Sequence, residues 1–413
     1  MNIIMLNDFG YTNGGGSQSA LTSALEVARH HCKVTFFCAV GPASVELTAS
    51  GIDVVVLGQE EILKDQNRLR VVGRGIWNNR AAKELGAALD LLDPTDTVVH
   101  LHSWTKALTA SVVRTALDRD FPVVFTLHDY FTVCPNGGFF NYPARDICRL
   151  KPLSAACVHS HCDQRSHLHK LWRVARQTVT QLRGHIPDGI HGFLAPSDLC
   201  MEVLRPFLPA AAMLRKLPNP HDVPRLEPAD PGASETFVAV GRLAREKGMN
   251  LFARAAALLT VSAKFVGDGD CRDEVQTLAP QARITGWLPH ADVIAQIRAS
   301  RALVFPSLCY ETQGMTVWEA ASQGIPAIVP DTCAAREGVI DGVTGYWFRG
   351  GDWRDLAAKI NKLARDPKCA REMGRAAYDR YWRDPMTPQR HASELMSFYR
   401  DILAGPARVN TTS

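Results

Sequence analysis

Residues 301–330 read RALVFPSLCYETQGMTVWEAASQGIPAIVP. Two short apolar runs, RALVFPS (301–307) and PAIVP (326–330), enclose MTVWEAA, which has helical character. A strand, a helix and a second apolar strand in close succession are the repeat of a parallel sheet covered by helices. Glu311 and Glu319 fall inside this repeat, the second among Val317, Trp318, Ala320 and Ala321. Carboxylates are seldom set beside apolar neighbours without a partner, so the pair asks for a counter-charge or a ligand.

The same alternation runs outward in both directions. Before it come NIIML (2–6), KVTFFC (33–38), DVVVL (53–57), TVVHLH (97–102), PVVFTLH (122–128) and GFLAPS (192–197), with helical spacing over 17–30 and 78–92. The stretch LPNPHDVPRLEPADPGAS (217–234) is rich in proline, which removes backbone donors and discourages helix in the residue before it. It reads as a linker. The pattern restarts with TFVAVG (236–241), AKFVGDG (263–269), ARITGW (282–287) and the repeat above, and ends with TGYWF (344–348). The fold expected is α/β, with two Rossmann-like domains whose parallel sheets face each other across a cleft. Ligands of such sheets bind beyond the carboxyl ends of the strands. The divisions expected are an N-terminal domain over 1–216 carrying a cysteine-rich insert (131–165), the linker 217–234, a C-terminal domain over 235–385, and a tail, 386–413. In the tail, Thr387 caps a helix whose stripe of Ala392, Leu395, Met396, Tyr399 and Ile402 packs back on the first domain.

A chain of 413 residues is too long for one ordinary core, and 46% hydrophobic with 21% charged residues describes a globular protein. A formal net charge of +4 permits anionic substrates or weak attraction to anionic lipid but does not suggest nucleic-acid binding. No apolar run approaches the ~20 residues that cross a bilayer. The start MNIIMLNDFG has no basic leader and reads as a first strand, so a cytoplasmic setting is expected, and the Asn410-Thr-Thr sequon has no meaning there. Eleven cysteines then favour reduced thiols over a disulfide framework.

Gly314 ends the loop after RALVFPS, and the helix begins beside it. A helix N-terminus offers free N–H groups and a positive dipole end, and suits a phosphate. Glu311 lies ahead of that point and Glu319 about 7–8 Å beyond it at ~1.5 Å per residue. The two carboxylates can thus reach hydroxyls on either side of a diphosphate. A core helix with one exposed and one salt-bridged glutamate accounts for the same spacing.

The proline–serine loop, the two glutamates with seven residues between them and QGIPAIVP together resemble the signature of retaining glycosyltransferases of family 4, which have the GT-B fold. By that resemblance Glu311 contacts the hydroxyls of the donor sugar and Glu319 the ribose. The backbone of Gly314, Met315, Thr316 and Val317 holds the phosphates. In VGRLAREKG (240–248), Arg242 and Lys247 occupy the family's diphosphate-binding positions. Two cations there stabilise the departing charge, the task a metal does elsewhere. NDFGYTNGGGSQSALTSAL (7–25) is similar to the family's first loop, with Gly15 and Gly16 toward the donor. His128 in TLHDY (126–130) matches a histidine that lies against the transferred sugar. Asp268-Gly-Asp270 fits the D-x-D of metal-dependent glycosyltransferases of another fold, but it follows a strand of the second domain, where the family has a glycine turn.

Cys134, Cys148, Cys157 and Cys162, with His159 and His161 nearby, can hold a structural zinc or an iron–sulfur cluster, although C-x-x-C pairs are lacking. The alternative is a loop of reduced thiols. Catalysis itself needs no cofactor. In RSHLHKLWRVARQTVTQLR (165–183), Leu168, Leu171, Trp172, Ala175, Val179 and Leu182 form a stripe, with Lys170, Arg173 and Arg183 off it. This is either a domain-packing helix with a wet basic face or a membrane-surface helix in peripheral contact.

The resemblance implies retaining transfer from a UDP- or GDP-linked sugar to a glycan or lipid-linked hydroxyl in surface-polysaccharide or glycolipid assembly. The alternatives are a nucleotide-sugar epimerase of the same fold and an inactive sugar-nucleotide-binding scaffold.

Overall fold

The near-continuous apolar runs become strands buried on both faces. The computed structural model describes residues 1–62 and 68–405, so the Asn410 sequon lies outside the described residues. Strands β1 (Asn2–Phe9), β2 (Lys33–Val40), β3 (Asp53–Val56), β4 (Thr97–Leu101) and β5 (Val123–Thr126) precede a short antiparallel hairpin, β6 (Phe140–Asn141) and β7 (Asp146–Ile147). Then β8 (Gly192–Ala195) and β9 (Met213–Lys216) complete a parallel seven-stranded sheet ordered β3-β2-β1-β4-β5-β8-β9. A parallel six-stranded sheet follows, ordered β12-β11-β10-β13-β14-β15. Its strands are β10 (Thr236–Val240), β11 (Ser262–Val266), β12 (Arg283–Ile284), β13 (Ala302–Val304), β14 (Ala327–Pro330) and β15 (Gly345–Phe348).

Two compact units result. One comprises Met1–Gly137, Leu171–Pro220 and Met386–Ser413, the other Gly138–Lys170 and His221–Pro385. In each sheet the order reverses beside the first strand. β1 lies between β2 and β4, with Met5 opposite Phe36 and His100, and β10 lies between β11 and β13. A crevice opens at the carboxyl end of such a reversal. Ile3, Met5, Phe36, Val98 and Val124 build one core with Ala20 and Ala24 of helix Gly15–Ala28. Phe237, Phe252, Phe265, Phe348 and Leu356 build the other.

Helix Pro388–Ala404 starts after Thr387, whose side chain accepts from Arg390 N. It lies on the first unit, where His391 Nε2 meets Ser23 Oγ at 3.0 Å and Tyr399 Oη meets His100 Nδ1 at 2.6 Å.

Three features differ from the sequence reading. β9, MLRK, went unread because half of this edge strand is charged. Residues 138–170 group with the second unit rather than the first: Arg145 pairs with Glu274 at 3.3 Å and Gln164 donates to Asp270 at 3.4 Å. Helix His167–Leu182 is turned the opposite way from a packing helix with a wet basic face. Its inward side is polar: Arg176 donates to Thr105 O at 3.2 Å and Gln177 to Thr132 O at 3.1 Å, and Lys170 is buried. Leu168, Leu171 and Leu182 point out. The loops beneath present carbonyls and a thiol that only polar side chains can satisfy.

Candidate active site

The second unit gathers most of the sequence-read residues at the carboxyl edge of β10 and β13. The chain leaves β10 through Gly241 and Arg242 and reaches Lys247 in a short 3-10 turn. Gly248 follows with φ +62°, and a Cβ there would stand 2.1 Å from the Pro306 carbonyl. That approach sets the loop after β10 directly on the loop after β13. Lys247 Nζ consequently meets Glu311 at 2.7 and 2.9 Å, and Ser307 Oγ donates to the same carboxylate at 2.7 Å. Burial works against the Lys247 ammonium, but the adjoining Glu311 charge outweighs it and raises the lysine's pKa. Burial likewise opposes the Glu311 carboxylate, and Lys247 with its hydrogen bonds holds it below the usual range. An ammonium has three donors, so one remains for a ligand. Glu311 also sits at φ +50°, in the left-handed region a non-glycine residue seldom occupies.

Gly314, at φ +79°, ends this loop and begins helix Met315–Ser322 without a side-chain cap. A Cβ at Gly314 would approach Ala335 Cβ within 2.7 Å. Thr316 Oγ1 is enclosed there with no partner. The arrangement leaves first-turn N–H groups for an anion. One turn deeper, Glu319 is buried and accepts from His290 Nε2 at 3.0 Å, a bond that raises the His290 pKa. His221 stacks near Trp318, has both ring nitrogens enclosed without partners, and is pushed by burial down to about 4. Arg242 stands largely in solvent and pairs with the buried Glu246. His290 and His221 were missed in the sequence, and Ser307 was read only as part of the proline–serine loop.

The Asp268-Gly-Asp270 carboxylates are already engaged. Asp268 accepts from Gly269 N at 2.8 Å and faces Arg272 at 3.4 Å, and Gln164 donates to Asp270.

The first unit builds a different cluster beyond β1, β4 and β5. Gly14 (φ +113°) turns the chain into helix Gly15–Ala28, which opens with Gly15 and Gly16. A Cβ on Gly16 would lie 3.2 Å from the His128 side chain, so only glycine lets the two come together without a shift. His128 Nε2 meets His102 Nδ1 at 2.9 Å. His100 bridges Thr126 and Tyr399. Burial pushes His128 down to about 3 and takes His100 and His102 well below their ordinary value. Asp8 is fully buried and accepts from the backbone N–H groups of Lys106, Ala107 and Leu108 at 2.8–2.9 Å. Enclosure raises Asp129 to about 6, against the opposing Phe131 N–H and the Arg176 charge. Asp8, His102 and Arg176 were not anticipated: each needs the tertiary fold to bring its partner.

The four cysteines do not behave as one set. Cys134 belongs to the first unit, and Cys148, Cys157 and Cys162 to the second. Lys170 Nζ donates to Cys157 Sγ at 3.5 Å and also to Cys162. An ammonium in that position occupies the place of a cation, so the thiols do not fit a metal ion as they stand. Among the described residues no group of three or more His, Cys, Asp or Glu side chains could hold one.

Two doubly wound sheets, each with polar loops at its carboxyl edge, place the chain among the open parallel α/β folds. Residues 226–380 match the family described as glycosyl transferases group 1. A GDP-mannose-dependent alpha-mannosyltransferase of Corynebacterium glutamicum is 27% identical over 44% of this chain and 44% of its own. The sulfoquinovosyl transferase of Arabidopsis thaliana is 33% identical over 34% of this chain and 28% of its own. The chain thus spans less than half the length of these relatives. Among solved structures, sucrose-phosphate synthase from Thermosynechococcus elongatus superposes with a TM-score of 0.70 at 17% identity, covering 98% of this chain and 99% of that one. Anabaena HepE in complex with UDP-glucose gives 0.67 at 16%, covering 97% and 100%. The fold is GT-B. No helix among the described residues is long and apolar enough to cross a membrane.

Proposed function

We propose that the protein is a retaining glycosyltransferase that moves a sugar from a UDP- or GDP-linked donor to a hydroxyl of a glycan or lipid-linked acceptor at the inner face of a membrane. The observation that carries this reading is the Lys247–Glu311 pair set before an uncapped helix N-terminus, with Glu319 one turn deeper. Arg242, Lys247 and the N–H groups of Met315 and Thr316 neutralise the departing diphosphate, while that of Val317 is already donated to Gly314 O at 3.1 Å. Glu311 takes the sugar hydroxyls and Glu319 the ribose, since carboxylates accept from vicinal hydroxyls. The bond from the anomeric carbon to the diphosphate oxygen breaks. The bond to the acceptor oxygen forms on the same face, and the acceptor proton passes to a donor phosphate oxygen. His128, held neutral, contributes a hydrogen bond to the transferred sugar rather than a charge. Relatives named for GDP-mannose and structures solved with UDP support both bases. A relative named for phosphatidylinositol monomannoside and a lipopolysaccharide galactosyltransferase structure support the acceptor class.

A thermal-shift screen with UDP-, GDP-, ADP- and dTDP-sugars tests this. One base is expected to raise Tm, since ligand at 100 times Kd stabilises by about 2.7 kcal/mol. Slow release of the matching nucleoside diphosphate should accompany it. Interconversion of donor sugars would mean an epimerase, and binding without turnover in the presence of acceptors would mean a scaffold.

A further inference from the structure

The side chain of Glu319 is 8% exposed, and that of His290 beside it is 38% exposed. A carboxylate can accept about four hydrogen bonds. Among the described residues Glu319 receives one from a side chain, His290 Nε2 at 3.0 Å. A second imidazole, that of His221, feels the same charge but bonds nothing through either ring nitrogen. A buried charge met by one half-exposed partner is poorly compensated, and hydroxyls of a ligand would complete its shell.

Packing sets both partners of this bond. His290 is the first residue of helix His290–Arg298, which the chain enters through Pro289. Ile294 and Ile297 of that helix share an apolar core with Val317 and Ala320 of helix Met315–Ser322, which carries Glu319. The loop before Pro289 is tied down in turn. Thr285 N donates to Phe265 O at 3.0 Å, and Gly286, at φ +76°, pairs with Gly267. The imidazole is therefore in place before any ligand arrives.

The last torsion of a glutamate side chain is broad, so a carboxylate without a partner turns about its own axis. A donor on Oε1 fixes the carboxylate plane, and with it the direction in which Oε2 accepts. Vicinal hydroxyls are met well only by a plane so fixed. The bond to Glu319 raises the His290 pKa, which favours the charged imidazole and the stronger form of the bond.

We infer that His290 is a positioning residue that aims Glu319 at the ribose of the donor nucleotide, so that the site selects ribonucleotides over 2′-deoxyribonucleotides. The inference rests on the reading that Glu319 meets the ribose, and it adds the residue that makes this contact selective. His290 acts through Glu319 and takes no part in the transfer step.

Calorimetry on the full chain with UDP and GDP, each beside its 2′-deoxy counterpart, tests it. The unaltered protein should prefer the ribonucleotide by about tenfold, the size of one charge-assisted hydrogen bond. His290→Ala should cut that preference to about threefold or less by weakening the ribonucleotide alone. His290→Gln, which keeps a donor near the Nε2 position, should restore most of it. The His290 side chain is partly exposed, and an unchanged Tm will verify that the variants fold. Equal weakening of both nucleotides in His290→Ala would make the residue merely structural and overturn the inference. So would an unchanged preference, or a His290→Gln protein no better than the alanine variant. Glu319→Gln separates the two levels. If it abolishes the preference while His290→Ala does not, the ribose reading of Glu319 stands and the inference falls. If the unaltered protein shows no preference, or Glu319→Gln retains it, the ribose reading falls and takes the inference with it.

Discussion

At the carboxyl edge of the first sheet, Asp8 gives its whole carboxylate to three backbone N–H groups, and three imidazoles nearby are kept neutral by burial. At the same edge of the second sheet, Lys247 and Glu311 stand as a charged pair, with 30% of the lysine side chain exposed. The two units share strand order and parallel topology, yet one directs its polar groups into its own scaffold and the other holds ions ready at the rim. Topology fixes where a ligand site opens. The chemistry there depends on whether the polar groups are already satisfied from within.

The sharpest test of this contrast is Lys247→Ala. It removes the cation proposed to face the leaving group, so kcat should fall about 100- to 1000-fold. Steady-state rates with the donor found in the screen measure it, and Tm shows whether the fold survives. A loss below tenfold would mean that the rim charges are as structural as those of the first unit.

Acid should separate the two units next. A histidine whose folded pKa is depressed contributes stability above its unfolded value near 6.5 and loses it as pH falls toward the folded value. His100, His102 and His128 in the first unit share this sign. At pH 5 each buried neutral imidazole costs about 2 kcal/mol. Asp129, raised to about 6, has the opposite sign: its contribution is present below about 4 and is lost as pH rises through 6, so it offsets part of the loss. In the second unit, His221 acts as the first unit's histidines do, but His290 is raised and acts oppositely. Hydrogen exchange corrected for intrinsic rates should therefore show the first unit losing protection before the second between pH 7 and 5. Simultaneous loss would break the contrast.

The smallest effect expected is that of Glu319→Gln. It keeps the shape and removes the charge facing His290. Nucleotide affinity by calorimetry should weaken about tenfold, the size of one charge-assisted hydrogen bond. Unchanged affinity would assign Glu319 to the scaffold.

This contrast also explains what could be read from the chain before its structure. Arg242, Lys247, Glu311 and Gly314 lie in compact loops after strands, where glycine and charge stand close together in sequence and local spacing reveals them. Asp8, His102 and Arg176 become meaningful only through partners about 25 to 100 positions away, such as Leu108 for Asp8 and His128 for His102. Helix His167–Leu182 was read correctly in period, and of its two readings the outward leucines exclude the packing helix with a wet basic face. A hydrophobic stripe gives a helix its face but not its orientation, and here the loops beneath, with their free carbonyls, decided it. The strands were legible because burial on both faces requires unbroken apolar runs, whereas the charged edge strand β9 has no such requirement.

The contact of Gly248 with the Pro306 carbonyl makes residue 248 a spacer of zero thickness between two loops. Any side chain there would act as a wedge, driving Lys247 away from Glu311 while leaving both residues in place. A Gly248→Ala protein would keep every charged group of the site and lose their alignment, so that position governs the electrostatics of the rim without carrying a charge of its own.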